Sequence, residues 1–375
     1  MLTCGCCGHQ RSDHCSFEPK ACMKLAVSAP GRICLFGEHQ DYFGFPVVAS
    51  AIDLRVSIQS SSRFDRTVHV DLIDLDEQHV YDLDALPAPQ PREYLLIALH
   101  LAKREGWLPQ KGWHAIVSSQ IPMRAGASSS SALLVAWCAL IAERSNRNWN
   151  QTWIAHAAWR AEVDWFGEPG GMMDQTVCAL GGTQHIAFQP AFKSTQLPTP
   201  PGSWLLFDSK EPKDTLGVLS RAKDHRLKLI QNWECLGTID WAQRPPQFPQ
   251  QWNDLEKQLM MTTLEIRRIS SEGAEALEFS VPDLEQVGAL LQEHHRWLSE
   301  GIEVSTSRID GILAKALEAG ALGGKINGSG GGGTGFVLCE ASRHDAVTEA
   351  IERAQGHPMP IALGAEGVRF EKFIK

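Results

Sequence analysis

Residues 121–134 read IPMRAGASSSSALL, a proline and small residues running straight into an apolar helical pattern. The stretch predicts a loop feeding a helix. Ser128, Ser129, Ser130 and Ser131 stand where the first turn begins, so unpaired backbone N–H groups and hydroxyls point out of one helix end. The helix dipole adds positive character there, and small side chains let a phosphate approach the backbone. An ordinary N-cap with redundant serines satisfies the same residues, so the rest of the chain has to decide.

The surroundings supply a strand before the loop (112–119), a helix after it (129–143) and a second helix (152–165). Ile154, Ala158, Ala161 and Trp165 share one face of that second helix, with Glu162 beside it. Residues 166–182, FGEPGGMMDQTVCALGG, turn the chain with glycines and a proline just before Asp174 and continue as a short buried helix. Upstream, 24–28 alternates as a strand, and Ala29-Pro30-Gly31 breaks it into a loop. That loop, GRICLFGEHQDYFGF (31–45), interleaves Arg32, Glu38, His39 and Asp41 with Ile33, Leu35 and Phe36. Such spacing makes a poor solvated face and a good polar pocket lining; a salt-bridged turn is the plainer alternative. Strands are expected at 47–60, 66–72 and 183–188, and a helix at 93–103.

The Pro- and Ser-rich stretch 189–202 is the expected domain boundary. Beyond it come a strand (204–208), helices at 214–233, 252–270, 282–298 and 306–319, a helix at 345–353 and an extended end at 361–373. His294 and His295, in a Gln- and Glu-rich helix, are expected at the surface. Residues 322–340, LGGKINGSGGGGTGFVLCE, formally contain G-x-G-x-x-G at Gly328, Gly330 and Gly333. A strand follows these glycines instead of a helix, which argues against a dinucleotide fingerprint. The loop is suited to packing backbone against a ligand or another loop.

Composition sets the bounds. With 375 residues, 43% apolar and 21% charged, the chain has the make-up of a soluble globular protein of two domains. No apolar run is long enough to span a bilayer, and no secretory h-region precedes the first charges, so no membrane partner and a cytoplasmic location are expected. A net charge of −9 argues against nucleic acid as a partner. Of ten cysteines, five (Cys4, Cys6, Cys7, Cys15, Cys22) crowd the first 22 residues. Without paired C-x-x-C units they make a weak zinc motif, and 1–22 is expected to be a disordered extension, with Met23 an alternative start.

No Gly-Lys is followed by Ser or Thr, which excludes a Walker A loop. A phosphate cradle, two carboxylates and an arginine-bearing polar loop together still describe phosphoryl transfer. At this point GRICLFGEHQDY (31–42), the serine loop (122–131), Ala161-Glu162, GGMMDQ (170–175) and the glycine segment (325–334) together resemble the GHMP kinases, the galactokinase, homoserine, mevalonate and phosphomevalonate kinase family. The resemblance runs from about residue 24 onward, and the E-H-x-D-Y core is galactokinase-like. It implies an α/β (α+β) two-domain fold: a ribosomal-protein-like N-terminal domain (23–200), a ferredoxin-like C-terminal domain (201–375), and an active site in the cleft between them. It further implies an ATP-dependent sugar kinase, with D-galactose the leading substrate, a sugar 1-phosphate the product, Mg2+ the cofactor, and a monomer or weak homodimer.

Carried over by residue, Asp174 is the catalytic base with Arg32 beside it, and Glu38, His39, Asp41 and Asp174 bind the sugar. Arg124, Ala125, Gly126, Ala127, Ser128, Ser129, Ser130 and Ser131 hold ATP. Ser130 and Glu162 hold the metal, and Gly328, Ser329, Gly330, Gly331 and Gly332 form the third motif. Four positions depart from the galactokinase pattern: Cys34, Phe36, Arg124 and Ala127. No tyrosine follows Tyr94, where galactokinases use one on the sugar. A uronic acid, arabinose, N-acetylhexosamine or mevalonate-type kinase, or a catalytically weak sugar and ATP sensor, are the competing readings.

Overall fold

The computed structural model describes residues 24–122, 126–168, 170–212, 215–236, 246–279 and 281–371. The Cys-rich segment 1–22 and Met23 lie outside them, as do Arg124 and Ala125. The first half runs β1 (Lys24–Phe36), β2 (Val47–Ser62), β3 (Thr67–Leu72), β4 (Glu77–Asp82), α1 (Tyr94–Arg104) and β5 (Trp113–Ser119). It continues through α2 (Ser129–Arg144), α3 (Gln151–Trp159), α4 (Met173–Leu180), β6 (Thr183–Ala187) and β7 (Lys193–Leu197). The second half runs β8 (Ser203–Asp208), α5 (Thr215–Leu236), α6 (Asp254–Glu278), α7 (Leu284–Arg296), α8 (Ser307–Glu318) and β9 (Ala321–Ile326). Then come β10 (Thr334–Cys339), α9 (His344–Arg353), β11 (His357–Ile361) and β12 (Arg369–Glu371).

The first sheet is ordered β12-β1-β2-β5-β3-β4, with β6 on β2 and β7 on β6. The second, β11-β8-β10-β9, is antiparallel throughout and has the βαββαβ connectivity of a ferredoxin-like layer. The Ala- and Leu-rich α2 is buried along most of its length beneath the first sheet. Burial of Leu134, Val135, Leu140 and Ile141 is complete and contributes about 1.5–3 kcal/mol per side chain as an upper bound. Trp113 and Trp137 fill the space between sheet and helix, and the buried indole of Trp137 donates to Leu95 O at 3.1 Å. No helix among the described residues is long and apolar enough to cross a membrane.

Several elements depart from the sequence-based expectation. The strand expected to break at Ala29-Pro30-Gly31 continues to Phe36, with register shifts against β2 between Pro30 and Arg32 and between Cys34 and Phe36. Pro30 has no N–H to lose at such an irregularity, and Ile33, Leu35 and Phe36 become fully buried by continuing. The helix expected over 152–165 stops at Trp159 and passes into a π-helical turn, Arg160–Asp164. The expected linker 189–202 contains β7, which pairs with β6 from Thr183↔Leu197 to Ala187↔Lys193. His294 is fully buried and His295 largely so, because α7 packs lengthwise on β9. Burial pushes the His294 imidazole well below its ordinary range.

The end of the chain does not stay with the second half. β12 pairs with β1 in the first sheet, so the division expected at residue 200/201 is crossed by a returning strand. Arg55, 8% exposed, holds that return: it donates to Ser28 O at 3.0 Å, Glu366 O at 2.7 Å and Gly367 O at 2.8 Å. Replacing Arg55 by alanine strands these carbonyls and should destabilise the protein by about 1–3 kcal/mol in denaturant titration. Arg353→Ala, on an exposed helix surface, should leave the midpoint in place.

Candidate active site

The irregular register of β1 turns Arg32 inward, where it is 4% exposed. Its guanidinium grips Asp174 at both oxygens, Nε to Oδ1 at 2.9 Å and Nη2 to Oδ2 at 2.8 Å. The remaining Nη1 donates to Gly126 O at 2.7 Å, and the Arg32 backbone N–H donates to Ala127 O at 3.2 Å. One side chain thus joins β1, the serine loop and the start of α4. Burial works against the Arg32 charge, but Asp174, Glu38 and Cys34 outweigh it and drive its pKa above the usual arginine value.

Three of the four serines divide the two carboxylates between them. Ser128 is in the left-handed region (φ 62°) and makes no side-chain cap; its hydroxyl donates to Asp174 Oδ2 at 2.6 Å. Ser131 donates to Glu162 Oε2 at 2.7 Å, Gln175 Nε2 donates to the same oxygen at 2.7 Å, and Ser130 also bonds this carboxylate. The π turn brings Glu162 to the helix end, where burial raises its pKa against these hydrogen bonds from three neutral side chains. A desolvated carboxylate among serine oxygens, beside a helix N-terminus, is a hard-oxygen donor set of the kind that takes Mg2+ together with phosphate. The residues present fit the expected metal.

On the acceptor side, Asp41 accepts from Tyr42 N at 3.0 Å and Met173 N at 3.5 Å. Burial and then repulsion from Asp174 raise its pKa to about 6. Gly171 makes this approach feasible, since a methyl there would stand 2.0 Å from Asp41 Oδ2. His39 has φ 62° and its Nδ1 lies 3.1 Å from the Tyr42 hydroxyl. Its carbonyl accepts from Arg226 of α5, whose guanidinium stacks 4.7 Å from the Phe43 ring. The second half therefore clamps the acceptor loop, through a residue that no local sequence signal marks.

Glu38 is held differently from its neighbours. Lys325, fully buried on β9, donates to Glu38 Oε2 at 2.7 Å, Cys34 O at 2.9 Å and Ile326 O at 2.7 Å. Asn327 accepts from Cys34 N at 3.0 Å and donates to Gly126 O at 3.1 Å. These two side chains make the third motif's contacts to the rest of the site, and neither is among the residues singled out from the sequence. A lysine inside a glycine-rich strand was the available signal, because a buried ammonium requires a partner. The glycines Gly328, Gly330, Gly331 and Gly332, with Ser329 among them, turn with positive φ at each glycine, and Gly331 N donates to Val304 O at 2.8 Å. That loop packs against another loop.

Two expectations follow. Lys325→Met leaves Glu38 buried without its counter-charge and should cost about 3–5 kcal/mol by chemical denaturation, most of it recovered in Lys325→Met/Glu38→Met. Protonation of Asp41 below about pH 6 removes its charge and part of its capacity to accept hydroxyl hydrogen bonds, and turns one oxygen into a donor. Wild-type kcat/KM for the acceptor should then fall about tenfold per unit below that pH, while Asp41→Asn shows no such limb. A wild-type profile flat from pH 7 to pH 5 contradicts that role for Asp41.

Comparison with known proteins gives the family. The N-terminal domain of GHMP kinases matches residues 93–182, their C-terminal domain matches 274–357, and the galactokinase galactose-binding signature matches 16–61. Mevalonate kinase of Thermococcus gammatolerans is 27% identical over 94% of this chain and 100% of its own length. Galactokinase of Roseiflexus sp. is 28% identical over 90% of each chain. The structure of Lactococcus lactis galactokinase complexed with galactose superimposes with a TM-score of 0.81 at 18% identity, covering 92% of this chain and 95% of that one. The matched N- and C-terminal domains, together with the matched galactose-binding signature, make this chain a member of the GHMP kinase family of ATP-dependent phosphotransferases with an alcohol acceptor.

Proposed function

We propose that the chain transfers the γ-phosphoryl group of ATP to the anomeric hydroxyl of a monosaccharide, D-galactose being the leading candidate, to give a sugar 1-phosphate and ADP. The observation that carries this reading is the acceptor loop 38–42 in its galactose-signature context, with Asp41 accepting from the backbone N–H of Met173 beside Asp174. Carboxylates and an imidazole supply the directional acceptors that a polyol needs.

In this reading the acceptor oxygen attacks the γ-phosphorus, its proton passes to Asp174, and the bond to the bridging oxygen of ADP breaks. Arg32 fixes both oxygens of the base and offsets charge as it develops. Gly126, Ala127 and the serine N–H groups at the start of α2 face the phosphates, and positioning with charge neutralisation provides most of the rate. Ser130 and Glu162 would hold Mg2+, which when bound neutralises phosphate oxygens. Glu38 acts on the acceptor mainly through its placement by Lys325.

A mevalonate-type acceptor is the second reading, favoured by the 27% identity to mevalonate kinases along 94% of the chain. ADP release with ATP, Mg2+ and a panel of free hexoses, pentoses, uronic acids and mevalonate separates the two. Turnover on D-galactose at least a hundredfold above mevalonate supports the first. The reverse ratio replaces it with the second, and tight sugar binding without turnover on any compound identifies a sensor.

A further inference from the structure

We propose that Ser128 is a positioning residue that occupies the base Asp174 until an acceptor displaces it, and so suppresses hydrolysis of ATP by water. The proposal rests on the reading of Asp174 as the base. A carboxylate oxygen offers two in-plane acceptor positions. At Asp174 Oδ2 one is filled by Arg32 Nη2 at 2.8 Å and the other by Ser128 Oγ at 2.6 Å, while Oδ1 already takes Arg32 Nε at 2.9 Å. Three of the four positions are thus filled, and at Oδ2 none is left for a hydroxyl proton.

The serine is not there as a helix cap. Ser128 precedes α2 with φ 62° and ψ 39°, makes no side-chain cap hydrogen bond, and is 7% exposed with its hydroxyl turned onto the base. A left-handed serine carries a backbone cost that glycine would avoid, and the hydrogen bond to Asp174 is the contact obtained in return. Asp174 itself is not sealed: its side chain is 28% exposed, so water has access to it. A water seated on a free Oδ2 beside bound ATP would be a competing nucleophile. Its oxygen would attack the γ-phosphorus, the bond to the bridging oxygen would break, one proton would pass to Asp174, and ADP and inorganic phosphate would leave. A sugar hydroxyl can take the serine's place at little net cost, since one O–H···O hydrogen bond is exchanged for another, while the rest of the sugar supplies the binding.

The test uses the full chain with ATP and Mg2+ and no sugar, reading inorganic phosphate release. Ser128→Gly suits the left-handed backbone and removes only the hydroxymethyl group, so folding should be kept, with the thermal midpoint as the check. Phosphate release at saturating ATP should rise at least tenfold in Ser128→Gly and return to the wild-type level in Ser128→Gly/Asp174→Asn. Unchanged or lower release in Ser128→Gly overturns the proposal, as does a phosphate mass on Ser128 of the wild type after incubation with ATP, which would make the serine an acceptor. Kinase turnover of Asp174→Asn on D-galactose and mevalonate separates the two levels. Loss of that turnover with a flat Ser128→Gly result removes only the role of Ser128, and retention removes the base assignment beneath it.

Discussion

The ion pair between Arg32 and Asp174 is the constraint on which the rest of the site depends. Its partners are 142 residues apart in sequence, and each is delivered by a local irregularity: the register shift of β1 for Arg32, and the glycine turn into α4 for Asp174. A buried guanidinium without an anion would be costly, so the pair fixes how strand, serine loop and α4 come together. Gly126 then receives two donors, Arg32 from the first sheet and Asn327 from the turn that follows β9. The serine loop is therefore pinned from both halves of the molecule.

Charge burial recurs across the acceptor side. Glu38 is paired with Lys325, Asp41 is pushed toward its neutral form by burial and by Asp174, and His294 is desolvated near Lys325. Each of these groups sits where α7, β9 or α4 meets the acceptor loop. Buried pairs of this kind are pre-organised, and electrostatic contacts among them are stronger than in water. The same burial makes the site sensitive to single substitutions that leave one charge unpaired.

Much of this was legible in the sequence, because short-range spacing carried it. The serine loop entering α2, the glycine turn before Asp174, and the polar set Arg32, Glu38, His39 and Asp41 are each contained in a few residues, and the structure brings them together. What the sequence hid is long-range or orientational. Pro30-Gly31 reads as a break, yet burial of Ile33, Leu35 and Phe36 carries the strand through it. The π turn that aims Glu162 has no compositional mark, and neither does the rotation that sends Ser128 to Asp174 and Ser131 to Glu162. Lys325 reaches Glu38 across 287 residues and β12 returns to β1 from the far end of the chain, contacts that no window of sequence contains.

Single-turnover phosphoryl transfer by Asp174→Asn, with ATP, Mg2+ and the acceptor chosen by the panel, tests the account most directly, because the substitution keeps the shape of the side chain and removes the proton acceptor. The account predicts a rate at least about a thousandfold below wild type for the folded variant, with ATP still bound and a thermal midpoint lowered because buried Arg32 loses its anion. A rate within a few-fold of wild type would contradict it.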